Sequence, residues 1–185
     1  MQQHASIDAP SAWVARFAPL IPSGEALDLA CGGGRHARLL AAQGRPVLAL
    51  DRDVSLVARS APPNVSVLQH DLERGASWPF EDRRFGGIVV TNYLHRPLFP
   101  HIVASLAPGG VLIYETFAQG NERFGKPSNP DFLLAPGELL TLLRPALRII
   151  AFEDGYLEAP KPAMVQRVCA VKPEPGQSEA HLRLG

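Results

Sequence analysis

Short apolar runs alternate along the chain with stretches of helical spacing, and glycine or proline marks most of the joins. Seven runs read as strands: Ala26–Ala30, Pro46–Leu50, Val65–Gln69, Gly87–Thr91, Val111–Thr116, Arg148–Glu153 and Met164–Val171. The early runs are almost continuously apolar, as in strands buried on both faces of a parallel sheet; a half-solvated sheet would alternate. The last run carries Gln166 and Arg167 and reads as an edge strand. Helices are predicted over Ala12–Ala18, Arg35–Gln43, Ser55–Arg59, Phe99–Leu106 and Pro136–Leu143. Strand and helix then succeed one another with short connections, which is the order of an α/β fold.

One segment breaks the alternation, Phe117 to Ala135, with the sequence FAQGNERFGKPSNPDFLLA. Structureless loops beyond about 12–15 residues are uncommon in compact domains and usually functional or disordered. Phe117, Phe124 and Phe132 argue against disorder here. The segment follows the fifth strand and mixes aromatics with Asn121, Glu122, Arg123, Lys126 and Asn129, so it reads as a substrate lid or as a cover for the sheet edge. The final residues from Lys172 onward are polar and proline-bearing and are expected to be loosely ordered, which assigns residues 1–172 to one domain and 173–185 to a tail.

Composition narrows the function. A 185-residue chain of 20.0 kDa fits one domain, and 46% hydrophobic with 19% charged residues predicts a folded core. Lys+Arg 18 balances Asp+Glu 18, so there is no global basic field for nucleic acid or an anionic membrane. The 18 prolines look disruptive at first, yet Pro46 opens a strand, Pro100 and Pro136 sit near helix starts, and Pro108 precedes a Gly109-Gly110 turn. With only Cys31 and Cys169, no secretory leader pattern and no apolar run of about 18 residues, the expectation is a cytoplasmic protein with no membrane span.

The strongest local signal is LDLACGGGRHARLL, a strand running into a glycine turn and then a helix. Glycines let the backbone turn sharply and approach a ligand, while the first N–H groups of the helix face the same space. Gly32, Gly34 and Ala37 also satisfy the dinucleotide pattern G-x-G-x-x-G/A. Asp51 ends the second strand 19 residues after Gly32, close to the spacing of a carboxylate that accepts ribose hydroxyls, and Asp71 follows the third strand. Asp28, just before the glycines, would repel a pyrophosphate but suits a cation such as a sulfonium or ammonium. No Gly-Lys-Ser/Thr follows the turn, which removes a P-loop site.

These residues carry a resemblance to class I S-adenosylmethionine-dependent methyltransferases, and the loop looks most like the tellurite-resistance-type branch. DLACGGG, LALDRD, LQHDLE, FGGIVVTNYL and LAPGGVLIYET are similar to successive family motifs and together cover most of the chain. The resemblance implies a Rossmann-like, doubly wound seven-stranded sheet in a single α/β/α domain, mostly parallel with an antiparallel last strand. It implies S-adenosyl-L-methionine as cofactor, Asp51 on the ribose, Asp71 with Leu72 at the adenine edge, and Gly32, Gly34 and Asn92 at the methionine end. Asp28, Ala30, Cys31, Arg35 and Arg52 complete the cofactor candidates.

Methyl transfer needs alignment and exclusion of water more than a dedicated base. If a base exists, His95 in TNYLHRP is the candidate, against a packed or substrate-orienting role. Substrate candidates are Tyr93, Arg96, Tyr114, Glu115, Asn121, Arg123 and Phe124. Cys31 reads as a packed residue, His36 as lying on the helix surface or near the cofactor, and Asp28 and Asp71 have competing readings as cap and turn residues. No ligand-spaced cluster predicts a metal. The leading expectation is methyl transfer to a small-molecule acceptor; an NAD-dependent oxidoreductase and a non-catalytic S-adenosylmethionine-binding regulatory protein are the alternatives.

Overall fold

Each of the seven apolar runs becomes a strand of one sheet: β1 (Ala26–Leu29), β2 (Val47–Asp51), β3 (Val65–Gln69), β4 (Phe85–Thr91), β5 (Leu106–Phe117), β6 (Arg148–Leu157) and β7 (Ala163–Val171). The structure is a computed structural model that describes residues 9–75 and 77–176. The strand order is β3-β2-β1-β4-β5-β7-β6. The first five strands are parallel, and β7 runs antiparallel to both neighbours. Every residue of β1 is buried, and of β4 only Thr91 is not, as central strands covered on both faces require.

Among the described residues five α-helices cover the faces: α1 (Ala12–Phe17), α2 (Arg35–Ala42), α3 (Val57–Ser60), α4 (Phe99–Ala104) and α5 (Glu138–Leu143). One core layer joins Trp13, Phe17, Ala37, Leu40, Val89 and Ile113 on the α1–α2 side. The other joins Phe85, Ile88, Phe99, Ile102, Leu112 and Leu139 on the α4–α5 side. The chain winds outward in both directions from β1 and β4, so their carboxyl ends flank the crevice where open α/β sheets bind ligands. None of the described helices is long and apolar enough to cross a membrane.

Two expectations are corrected. The last strand is antiparallel but does not form the edge; it lies between β5 and β6, and β6 is the edge. Its polar residues are satisfied from within: buried Gln166 accepts from Leu139 N and donates to Ala135 O, and Arg167 pairs with Glu153. The fourth helix ends at Ala104, short of Leu106, which already begins β5. Here the pairing with β4 jumps from Phe85↔Leu106 to Gly87↔Val111, so residues 107–110 bulge out of the ladder. Pro108 has no N–H to give the ladder, and Gly109 takes φ +74°.

The segment from Phe117 to Ala135 is held rather than structureless. It contains two 3₁₀ turns, Asn121–Arg123 and Pro130–Phe132, and closes on itself through a bridge between Ala118 and Leu134. Leu133 and Leu134 are buried, while Phe124 and Phe132 stay exposed. Lys172, where the loose tail was expected to begin, is also fixed, because its backbone pairs with Gly109 and Gly110 and its ammonium donates to Val103 O and Leu106 O. Residues 177–185 of that tail lie outside the described residues.

At Gly110 a Cβ would stand 2.8 Å from Ala107 O and 3.0 Å from Phe85 O. Gly110→Ala is therefore expected to lose about 1–3 kcal/mol, the usual scale of overpacking. Thermal or urea unfolding checks this, and an unchanged midpoint would remove the bulge from the account of how β5 is set.

Candidate active site

The glycine turn is built between β1 and α2. Cys31 N donates to Leu50 O and Gly34 N to Cys31 O, which pins the turn to the neighbouring strand and closes it on itself. Ala30, Gly32 and Gly34 have φ of +55°, +54° and +75°. Gly34 has no room for a side chain, since a Cβ would meet Val57 Cγ2 at 2.5 Å. Gly32 and Gly33 face open space instead. Ala30 holds its left-handed turn without glycine's freedom, at about 1–2 kcal/mol, the kind of strain found at functional sites.

Two carboxylates flank this turn. Asp28 is 1% exposed and accepts from Ala37 N at 2.8 Å, so it caps the first turn of α2. Burial pushes its carboxyl up to about 7, against the Ala37 N–H and the Arg35 charge, and Asp51 adds to the rise. Asp51 accepts from Gly32 N at 2.8 Å through Oδ2 and from Asp53 N at 3.1 Å through Oδ1. Burial and then Asp28 and Asp51 push the Cys31 thiol well above its ordinary range, so it is a packed thiol and not a nucleophile.

The neighbouring strand ends complete the rim. Asp71 closes its own turn by accepting from Glu73 N at 3.0 Å, with Arg74 Nε at 3.5 Å, and half-buried Leu72 packs on the core. Arg52 is exposed beside Asp51, and its carbonyl accepts from Gln69 Nε2. After β4 the exposed Asn92 turns with φ +55° and donates its N–H to Glu115 O. His95 is half-buried in a cleft of about 210 Å³ shared with Leu72, Glu73, Trp78 and His101. Among the described residues no cluster of His, Cys, Asp and Glu is arranged to hold a metal.

The site suits a cation without phosphate. An open glycine cradle lies between two carboxylates, and Asp28, raised first by burial and further by the Asp51 charge, is in a setting that a positively charged ligand relieves and a pyrophosphate aggravates. A family model described as "Methyltransferase domain" matches residues 1–154. The chain belongs to the methyltransferase-domain family. Its fold is similar to that of S-adenosylmethionine-dependent methyltransferases.

Trans-aconitate 2-methyltransferase of Rhizobium meliloti (strain 1021) is 35% identical over 102 residues, 51% of this chain and 38% of that protein. The chain thus spans less than half the length of the curated relative it matches. In fold it is similar to TehB from Haemophilus influenzae, with TM-score 0.72 at 18% identity over 88% of this chain and 62% of that one. It is also similar to an S-adenosylmethionine-dependent methyltransferase from Mesorhizobium loti, with TM-score 0.68 at 20% identity over 90% and 100%.

Several residues read as substrate contacts in this methyltransferase fold are engaged elsewhere. Tyr114 is 1% exposed, stacks on Phe99 and donates its hydroxyl to Tyr93 O at 2.7 Å, so it is core. Asn121 is equally buried, donating to Pro127 O and accepting from Met164 N, and so holds the loop. The Arg96 guanidinium binds Glu138 through two nitrogens and donates to Asp131 O and Leu133 O, which ties the segment after β5 to the end of β4. Tyr93 is half-buried, and burial and then Glu73 push its phenol up. Glu115 is 8% exposed beside Arg167; Arg123 is exposed, and Phe124 stands against Tyr156 at 5.1 Å.

His36 is neither a surface nor a ligand residue. It is 1% exposed, and because Ser11 N donates to Nε2 at 3.1 Å, Nδ1 carries the hydrogen and donates to Thr91 Oγ1 at 3.3 Å. Burial, then the Arg35 charge, push its pKa down to about 3. No sequence signal marks it, since both partners come from distant elements.

The raised carboxyl of Asp28 fixes a pH effect. The unfolded carboxyl ionises near 3.8 and the folded one near 7, so the folded state binds more protons in between and stability falls as the pH rises through that window. Asp28→Asn keeps an oxygen for Ala37 N and removes the buried charge. It is expected to unfold at a higher temperature than the parent at pH 8, with the gap closing towards pH 4. A gap that is absent or reversed at pH 8 would show that Asp28 carries no such burden.

Proposed function

We propose that the protein is an S-adenosylmethionine-dependent methyltransferase acting on a small-molecule acceptor. The observation that carries this reading is the Asp28–Asp51 pair around the open turn at Gly32 and Gly33. When bound, S-adenosylmethionine supplies a methyl group already activated on a sulfonium. Asp51 accepts from the ribose hydroxyls, its two oxygens having lone pairs beyond those taken by Gly32 N and Asp53 N. Gly32 and Gly34 let the backbone approach the methionine end, with Asn92 beside it. Asp28 balances the ligand's positive charge from below, and Asp71, Leu72 and Arg52 border the adenine. An NAD-dependent oxidoreductase would bring pyrophosphate against Asp28, so that alternative is disfavoured.

The protein's own contribution is alignment and dryness. His95, in the cleft beside the end of β4, is the candidate to take a proton from the acceptor, although a transfer from so activated a donor runs without a dedicated base. The acceptor named for the trans-aconitate relatives stays with them, because the shared stretch is 38% of their length. Residues 1–172 form the methyltransferase unit in this reading. Cys31 and Cys169 are free and buried, and two unpaired thiols support a reducing compartment such as the cytoplasm.

Two measurements test the reading. Asp51→Ala is expected to weaken S-adenosylhomocysteine binding by about 1.5–3 kcal/mol, roughly ten- to a hundredfold, with the fold intact by circular dichroism; unchanged affinity would take Asp51 out of the site. Labelled methyl transfer over a panel of small acceptors is expected to find turnover. Tight cofactor binding with no transfer to any acceptor would favour the regulatory reading.

A further inference from the structure

A second concave surface lies at the same end of the sheet, over the β6–β7 pair. A groove of about 350 Å³ is lined by Glu153, Asp154, Gly155, Tyr156, Leu157, Val165 and Arg167. Pairing sets Glu153 opposite Arg167, Gly155 opposite Val165 and Leu157 opposite Ala163 on one face of the sheet. Gly155 is the floor: it sits inside a strand, where glycine weakens pairing, and a Cβ there would meet nothing within 4 Å. Asp154 turns to the opposite face and accepts from Gly137 N.

The groove joins the methyl-donor end through a row of paired residues. Thr91 at the end of β4 is opposite Glu115 on β5, Glu115 is opposite Arg167 on β7, and Arg167 is opposite Glu153 on β6. At about 4.8 Å per strand the row spans roughly 14 Å, within the length of an extended metabolite. Along it the charges do not balance. Arg167 donates from Nε and Nη2 to Glu153 and from Nη1 to Glu115, and its Cζ lies 4.8 Å from the centroid of the Trp13 ring. One guanidinium is thus shared by two carboxylates and covered by an indole, which leaves the row one negative charge in excess, with three of the five guanidinium N–H donors already given to carboxylates.

We propose that this groove seats the cationic end of the methyl acceptor, an ammonium or guanidinium group remote from the reacting atom, between Glu153 and the apolar wall of Leu157 and Val165. The inference rests on the methyltransferase reading above, and it assigns the acceptor class: amines or guanidines in preference to polycarboxylates. A carboxylate in the groove would face Glu153 and Glu115 with Arg167 already engaged; an ammonium meets the unbalanced charge.

Amide NMR titration of the protein saturated with S-adenosylhomocysteine tests it, with tyramine, agmatine and spermidine as cationic probes and 3-(4-hydroxyphenyl)propionate and trans-aconitate as anionic ones. At least one cation is expected to shift the Gly155 and Val165 amides saturably, and both anions to leave them unmoved. Glu153→Gln is expected to weaken the cation at least tenfold. Gly155→Val, which fills the floor with a good strand former, is expected to abolish the shifts while S-adenosylhomocysteine affinity stays put and the unfolding midpoint does not fall. No cation binding at Gly155, binding indifferent to both variants, or anions that bind there as tightly as the cations would overturn the inference and leave the methyltransferase reading standing. Failure of the unaltered protein to bind S-adenosylhomocysteine would remove both.

Discussion

The hydrogen bond from Ala37 N to the buried carboxyl of Asp28 is the constraint on which the rest of the site depends. It ties the first turn of α2 to the middle of the sheet, and the residues between must then reverse within a few steps. The left-handed turns at Ala30, Gly32 and Gly34 follow from that demand, as does the bare contact of Gly34 with Val57. The same reversal aims Gly32 N at Asp51, so the carboxylate at the end of β2 and the open backbone above it are held as one unit. A buried carboxyl near neutrality is a poor choice for stability alone. It makes sense where a cationic ligand completes the charge balance.

Around this unit the two faces of the sheet are latched separately to its carboxyl edge. On the α1–α2 side His36 joins Ser11 to Thr91, with its tautomer fixed by the backbone donor. Ser11 also caps α1 by accepting from Trp13 N, and Trp13 reaches Val168 O through its indole nitrogen. On the α4–α5 side Arg96 gathers two backbone carbonyls and Glu138, and Tyr114 holds Tyr93 O. The end of β4 therefore receives a tether from both layers. Such double fixing suits a reaction whose acceleration comes chiefly from alignment.

How much of this was readable in the chain depended on how local the cause was. The central strands β1, β2, β4 and β5 were legible because burial on both faces leaves nearly continuous apolar runs, and the edge strands β3 and β6 because short apolar runs still stand between turn residues. The glycine turn and its flanking acids were legible because φ, spacing and charge act within a few residues. The position of β7 was not, since Gln166 and Arg167 look solvent-facing until Leu139, Ala135 and Glu153 supply their partners. For the same reason Arg96, Tyr114 and Asn121 resembled substrate contacts: their polar groups are spent on segments 21 or more residues away or on backbone carbonyls across a turn. His36 carries no local mark at all. The groove over Gly155 was equally silent, because it exists only once β6 and β7 pair.

The central claim is that the paired acids and open glycines select a cationic, phosphate-free nucleoside ligand. Calorimetric titration of the full chain with S-adenosylhomocysteine, S-adenosylmethionine and NADH tests it most directly. The account predicts saturable one-to-one binding of the first two and none of NADH. Tight NADH binding without the others would contradict it.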